Sequence, residues 1–105
     1  MHVGSARIEG HADVREIVPS AHCVQRYRRR MPVREAGIAP VAQRLLDVLE
    51  AADITGWPPG WAVSDRSAAL WAVAPGDAIA FPLAPAEAGP AGRWIALTCL
   101  RRGER

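Results

Sequence analysis

The sequence predicts a single α+β domain spanning residues 1–105, with two N-terminal helices packed on a roughly four-stranded antiparallel sheet. Apolar residues recur at helical spacing within 40–53, which predicts a helix with one buried face. A Pro-Gly-Asp turn separates two apolar runs at 68–74 and 78–83. Residues 93–102 alternate between the two faces of a strand, and this order of helices followed by strands favours the α+β class.

The first third of the chain is predicted to contain one helix after a less regular start. Residues 1–13 have weak periodicity and are predicted as a loose arm or a short edge strand. Residues 14–19 fit either a strand or a first helical turn. Ser20 is a suitable N-cap for a helix over 21–30, which ends before Pro32.

The clearest element of the sequence is the second helix, over 40–53. Pro40 suits its first turn, because the missing amide hydrogen has no helical partner there. Its apolar stripe consists of Val41, Leu45, Leu46, Val48, Leu49 and Ala52. The opposite side is charged, so we interpret this helix as a cover for the sheet.

The second half of the chain is predicted to form the sheet. A short strand is expected at Trp61–Val63, followed by a hairpin around Pro75–Asp77 and a last strand over 93–102. Strict alternation in that strand predicts one face with Trp94, Ala96, Thr98 and Leu100, and another with Ile95, Leu97, Cys99 and Arg101. Residues 103–105 are predicted as a disordered tail.

The charge of the chain is unevenly distributed. All 13 basic residues are arginine, and the net charge is +2. Residues 22–34 carry +5 and residues 93–105 carry +3, whereas residues 35–92 carry −5. If the two basic segments meet in the fold, they form one positive patch on an acidic body.

Several classes of protein are disfavoured by the sequence. Cys23 and Cys99 are too few and too far apart for a disulfide framework or a zinc site, so we expect no metal and no cofactor. No apolar run approaches the roughly 20 residues of a membrane helix, and the N-terminus is not a signal peptide. We therefore expect a cytoplasmic protein without membrane contact; the sequence assigns no oligomeric state.

The most informative stretch is SAHCVQRYRRRMP, residues 20–32. His22, Arg26, Arg29 and Arg30 lie on one face of the predicted helix. Arginine forks bind phosphate oxygens, and histidine titrates near neutral pH, so it suits general acid–base chemistry on an RNA 2′-hydroxyl. Such a constellation predicts a phosphate-binding surface and allows metal-independent RNA cleavage.

A purely structural interpretation of these residues competes with that prediction. His22 would then bond a loop or sheet carbonyl, and the arginines would pair with Asp47, Glu50 or Asp53. Trp57 and Trp61 pose a similar choice: they flank a Pro-Pro-Gly turn and either stack a nucleobase or cover the core. For the tryptophans we favour the core.

The helix SAHCVQRYRRR resembles the S-x-H-A-x-x-R-(aromatic or Met)-x-x-R helix of small bacterial and phage proteins. These include toxin-like proteins of the barnase–EndoU–colicin–RelE superfamily, in its RelE- and BrnT-like group. The matching positions are Ser20, His22, Arg26, Tyr27 and Arg30. The segment FPLAPAEAGPAGRWIALTCLRRG is similar to the closing hairpin of such proteins, with Thr98, Arg101 and Arg102 at the corresponding end. In element order the resemblance covers about 85 residues.

The resemblance implies metal-free ribonuclease activity in a toxin–antitoxin setting, with RNA as substrate and a neutralising protein as partner. We predict His22 as general acid or base, Arg26 and Arg30 as phosphate ligands, and Thr98 with Arg101 as the opposite wall of the catalytic site. The nucleic-acid contacts are predicted at Arg26, Arg29, Arg30, Arg101 and Arg102. The alternative is a non-enzymatic interaction protein, an inhibitor or accessory factor encoded by a phage or mobile element, whose arginine-rich helix docks on a target protein. Binding of DNA or RNA without cleavage is a third hypothesis.

Overall fold

The computed structural model describes residues 4–30, 38–62, 68–76 and 78–103, with side chains for all of these except 30 and 38–40. Seven strands and two helices lie within this part of the chain. In chain order they are β1 (Ala6–Arg7), β2 (Glu16–Pro19), α1 (Ala21–Arg30), α2 (Ile38–Glu50), β3 (Asp53–Thr55), β4 (Leu70–Val73), β5 (Ile79–Pro85), β6 (Arg93–Ala96) and β7 (Leu100–Arg101).

The strands form one mixed sheet, which curls into a half-barrel. Six strands follow the order β1-β2-β6-β5-β4-β3, and the two-residue β7 pairs with β5. The α+β class is confirmed, but the prediction of about four antiparallel strands is wrong. The pairing of β2 with β6 is parallel and joins residues 77 positions apart, as in Glu16 with Arg93. A pairing at that separation has no local signature in the sequence.

Two strands precede the helices, so the helices are not strictly N-terminal as predicted. β1 and β2 pair with each other, Ala6 facing Ile17, and Ala6 and Ile8 are buried in the hydrophobic core. The choice left open for 14–19 is therefore resolved in favour of a strand.

Both helices lie where the sequence placed them, and only α2 differs from its predicted bounds. α1 has the predicted bounds, Ala21–Arg30. α2 runs from Ile38 to Glu50 rather than over the predicted 40–53, and Asp53, the last residue of the predicted helix, instead begins β3, which pairs with β4 at the sheet edge. Trp61 lies in a turn rather than in the expected strand, whereas Val63 lies outside the described residues.

The predicted hairpin is present as β4 and β5. Ala72 faces Phe81 in the antiparallel register, and Ala74 N donates a hydrogen bond to the Ile79 carbonyl across the turn. Gly76 has a φ of 89°, a left-handed conformation that glycine adopts without the penalty of a Cβ. The Pro-Gly sequence therefore predicted the turn correctly, because this turn requires a left-handed residue and glycine provides it. Asp77, the third residue of the predicted turn, lies outside the described residues.

The predicted last strand, 93–102, is divided by a β-bulge. Leu83 of β5 faces Ala96, whereas Ala80, three residues before Leu83, faces Leu100, four residues after Ala96. One extra residue thus lies within the segment between β6 and β7. A bulge cannot be read from an alternating sequence, since each half alternates correctly by itself.

The bulge exchanges the faces that strict alternation predicted. Ala96 and Cys99 are both fully buried in the same core, although alternation placed them on opposite faces. Leu97 is 38% exposed, and Thr98 is half-buried. This correction matters for function because Thr98 is one of the predicted site residues.

The core lies between the two helices and one face of the sheet. The helices contribute Cys23, Val24 and Tyr27 from α1, and Val41, Leu45 and Leu49 from α2. The sheet contributes Ile17, Phe81, Leu83 and Ala96, among others. On the opposite face, Val18, Ala84 and Ile95 line a groove of about 680 Å³. Neither described helix has the length and apolarity needed to cross a membrane.

Candidate phosphate-binding site on the first helix

The position of α1 is fixed by its N-cap. Ser20 Oγ accepts a hydrogen bond from Cys23 N at 3.0 Å, which satisfies one of the free amides at the helix start. The same hydroxyl donates to the Leu97 carbonyl at 3.0 Å, and Ser20 N donates to the Ala96 carbonyl. One serine thus caps the helix and ties its first turn to the beginning of the bulge.

A shallow cleft of about 260 Å³ lies on the exposed side of α1. Its lining consists of His22, Gln25, Arg26 and Arg29. The predicted face therefore holds three of its four residues together. Gln25 was missed, although its spacing from His22 is also that of one helical turn. The side chain of Arg30 is not among those described, so its predicted place on this face stays a prediction.

The imidazole of His22 contacts a guanidinium in this cleft. Arg26 Nε donates to His22 Nε2 at 3.4 Å, near the long end of hydrogen-bond distances. Nε2 therefore acts as an acceptor, so a neutral ring in this geometry carries its proton on Nδ1. His22 is exposed, so its ring is accessible from solvent.

The described arginine side chains of α1 are not neutralised by the described carboxylates of the second helix. Arg28 and Arg29 form no ion pair with a residue in the described ranges, and the contact recorded for Arg26 is with His22. Asp47 accepts a hydrogen bond from Gln43 within α2, and Glu50 accepts one from Arg7 N. The structural interpretation required Asp47, Glu50 or Asp53 to pair with the arginines of α1, and none of them pairs with the described side chains of Arg26, Arg28 and Arg29.

The residues predicted for the opposite wall lie on the bulge and on β7. Thr98 follows Leu97, whose carbonyl contacts Ser20, so Thr98 is close in the fold to the start of α1. Arg101 pairs with Ile79 in the sheet, and Arg102 N donates to the Ala78 carbonyl. None of these three lines the α1 cleft.

Arg93, which belongs to the second basic segment, lies in an environment different from that of α1. It lies at the far end of β6 from α1, and its Nε donates to Glu16 Oε1 at 2.6 Å. This hydrogen bond, followed by one from Ser5, lowers the pKa of Glu16 below its ordinary value. Arg93 is thus neutralised by Glu16 within the sheet, so it adds no unpaired positive charge to the α1 surface.

The two cysteines and Tyr27 have structural environments. Neither Cys23 nor Cys99 is in a disulfide, and both side chains are fully buried. Burial strongly raises the pKa of the Cys23 thiol, with a smaller contribution from Cys99, and burial also raises the pKa of Tyr27. A buried thiol that resists ionisation is a poor nucleophile, as expected for cysteines that serve as small core residues.

The α1 surface is therefore an exposed, basic helix face with one histidine and no neutralising carboxylate among the described residues. Searches against family models, curated proteins and solved structures found no match to this chain.

Proposed function

We propose that this protein acts on RNA, with α1 as the surface that binds the phosphate backbone, and that it is a metal-independent endoribonuclease of the RelE- and BrnT-like toxin type. The observation that carries the proposal is the cleft of His22, Arg26 and Arg29, in which no carboxylate among the described residues pairs with either arginine. Unpaired arginines at one turn's spacing suit bidentate contacts to successive phosphate oxygens.

The chemistry follows from the contact between Arg26 and His22. A bound phosphodiester attracts the Arg26 guanidinium, which leaves His22 Nε2 free to accept the proton of the RNA 2′-hydroxyl. The 2′-oxygen then attacks phosphorus and the 5′-oxygen departs, taking a proton from water. Arg26 and Arg29 stabilise the charge that develops on the phosphate oxygens. The products are a 2′,3′-cyclic phosphate and a 5′-hydroxyl end.

The remaining predicted residues complete this proposal without being required for its first step. Thr98 is placed on the bulge beside the helix start, where it suits a hydrogen bond to a flanking phosphate or sugar. Arg101, Arg102 and Arg30 extend the electrostatic attraction of the strand beyond the cleft.

The test is incubation of the purified protein with tRNA and with single-stranded RNA in the presence of EDTA, beside a His22→Ala variant of equal thermal stability. We expect cleavage by the wild type with cyclic-phosphate ends, and a loss of about 100-fold or more in the variant. An RNA with 2′-O-methyl groups should bind and remain intact.

Two outcomes separate the alternatives. Binding of RNA with no cleavage by a folded protein contradicts the enzymatic part and leaves nucleic-acid binding. Neither binding nor cleavage contradicts the whole proposal and favours the non-enzymatic hypothesis, in which Arg28, Arg29 and Arg30 contact a target protein.

A further inference from the structure

A groove at the β3 edge of the sheet shares none of its described residues with the α1 cleft. It has a volume of about 420 Å³, and its lining includes Asp53, Thr55, Trp57, Pro59, Val73 and Pro75. Asp53 and Thr55 are two residues apart on β3 and therefore share one face of the sheet, and the register sets Asp53 opposite Val73. Their side chains therefore lie on the face of the sheet that α1 and α2 leave uncovered.

Trp57 is the unusual member of this groove. Its side chain is 73% exposed, whereas large apolar side chains in the described core are almost fully buried. The interpretation of this tryptophan as a cover for the core is therefore wrong. An indole with an exposed face beside a groove is a common stacking surface for ligands.

The exposure of Trp57 does not come from a loose loop. Thr55 Oγ1 donates to the Trp57 carbonyl at 2.7 Å, and Ala62 N donates to the Pro59 carbonyl at 3.0 Å. The rings of Pro58 and Pro59 each fix the φ angle of their own residue, so two successive φ angles are restricted. A rigid aromatic platform loses little conformational entropy when it binds a ligand.

The electrostatics of the groove indicate the charge of that ligand. Among the described residues of the lining, Asp53 is the ionisable one and there is no arginine or histidine, and no described residue pairs with the Asp53 carboxylate. A phosphate would meet an uncompensated negative charge here. A cation, by contrast, is attracted by both the carboxylate and the indole face.

The free edge of β3 indicates what kind of molecule carries this cation into the groove. β3 ends the strand order and pairs with β4 on one side only, among the described strands. An extended peptide can pair with an open sheet edge, and alternate side chains of that peptide then point to the face that carries the groove. A guanidinium is planar, stacks on an indole and binds a carboxylate with two hydrogen bonds.

We propose that the Asp53–Trp57 groove binds the arginine side chain of an extended peptide that pairs with the edge of β3. This inference goes beyond the proposed RNA function and does not depend on it, since neither Asp53 nor Trp57 belongs to the α1 surface.

The experiment follows the indole and backbone amide resonances of the ¹⁵N-labelled full chain. The four tryptophans give four indole signals, and Trp57→Phe identifies the relevant one. The probes are acetyl-arginine amide, its neutral isostere acetyl-citrulline amide, and the pentapeptide acetyl-Val-Thr-Arg-Thr-Val-amide. We expect saturable shifts of Trp57 with the arginine amide and none with the citrulline amide. The pentapeptide should bind about tenfold or more tightly and should also shift the amides of β3.

Variants test the two contacts separately. Asp53→Asn should weaken the pentapeptide about fivefold, and Trp57→Leu should weaken it about tenfold, measured from the β3 amide shifts. Glu87→Gln is the matched control, because this exposed carboxylate lines the other groove of the same sheet face, and affinity should not change.

Three results would overturn the inference. Equal shifts with the arginine and citrulline amides would show that the positive charge of the ligand does not contribute to binding. A pentapeptide that binds no more tightly than the arginine amide would show that the peptide backbone does not pair with β3, and that the groove binds free cations instead. Binding of adenosine that is insensitive to Asp53→Asn, in the absence of arginine binding, would identify a nucleobase site instead.

Discussion

Replacement of Ser20 by alanine removes two hydrogen bonds made by one hydroxyl. The bond from Cys23 N caps α1, and loss of such a cap costs about 1 kcal/mol. The bond to the Leu97 carbonyl joins the helix start to the bulge, and a bond of this type contributes about 1 kcal/mol. Together they predict that Ser20→Ala lowers the free energy of unfolding by about 2 kcal/mol. For a domain of this size the melting temperature should fall by about 8 °C.

Two further substitutions divide this effect between its causes. Ser20→Thr keeps a hydroxyl, and the free energy of unfolding should stay within about 0.5 kcal/mol of the wild-type value. Ser20→Asp keeps the cap but has no proton to donate to Leu97, so about half of the loss should remain. Urea denaturation of the four proteins measures these values. An alanine variant as stable as the wild type would refute the role assigned to Ser20, and so would an aspartate variant as unstable as alanine.

Three further predictions concern the core, the ion pair and the thiols. Leu45→Ala should lower the free energy of unfolding by about 2–5 kcal/mol, measured by urea denaturation, because Leu45 is fully buried. Leu97→Ala, at a 38% exposed position, should lower it by only about 0.5 kcal/mol. Similar losses for the two variants would contradict the described packing. The pKa of Glu16 is lowered in the folded state, so its stabilisation is present above its ordinary value of 4.5 and is lost as pH falls through the lower folded value. Glu16→Gln should therefore be less stable than the wild type near neutral pH and equally stable at strongly acidic pH, and a constant difference would exclude this linkage. Cys23 and Cys99 should react with a thiol reagent only as fast as the protein unfolds, since both are fully buried, and rapid labelling of the native protein would show that the core is open.

The sequence predicted the elements whose signals are local. Ser20 before an apolar and basic run identified α1, the stripe of Leu45 and Leu49 identified α2, and Pro75-Gly76 identified the hairpin. Each of these signals acts over a few residues, through a cap, a helical face or a permitted φ angle.

The missing parts of the fold depend on partners far away in the chain. β2 is a strand because β6 supplies its parallel partner, and Asp53, predicted as the end of a helix, belongs to β3 because this strand pairs with β4. The bulge after Ala96 is set by the register with β5 and by the contact of Leu97 with Ser20. Alternation alone contains none of this information.

The candidate site was predictable for the same local reason as α1. The spacing of His22, Arg26 and Arg29 places them on one face of any helix that includes them. Whether distant acids neutralise that face depended on the fold, as did the pairing of Arg93 with Glu16. The groove at Trp57 was only half visible: the sequence shows the rigid Pro-Pro turn, but not the side chains of β3 and β4 that surround it.

The salt dependence of RNA binding tests the central claim, that the α1 surface binds the phosphate backbone, most directly. The probe is a labelled single-stranded RNA with 2′-O-methyl groups, measured by fluorescence anisotropy across a salt series with the wild type and the Arg26→Gln/Arg29→Gln double variant. Arg15→Gln serves as control, since Arg15 is an exposed arginine away from α1.

Each phosphate contact to a single strand contributes about 0.7 to the slope of log affinity against log salt. Loss of two arginines should therefore weaken binding and lower the slope by about 1.4, while the Arg15 variant keeps the wild-type slope. Equal slopes for the double variant and the wild type would contradict the assignment of α1 as the RNA-binding surface.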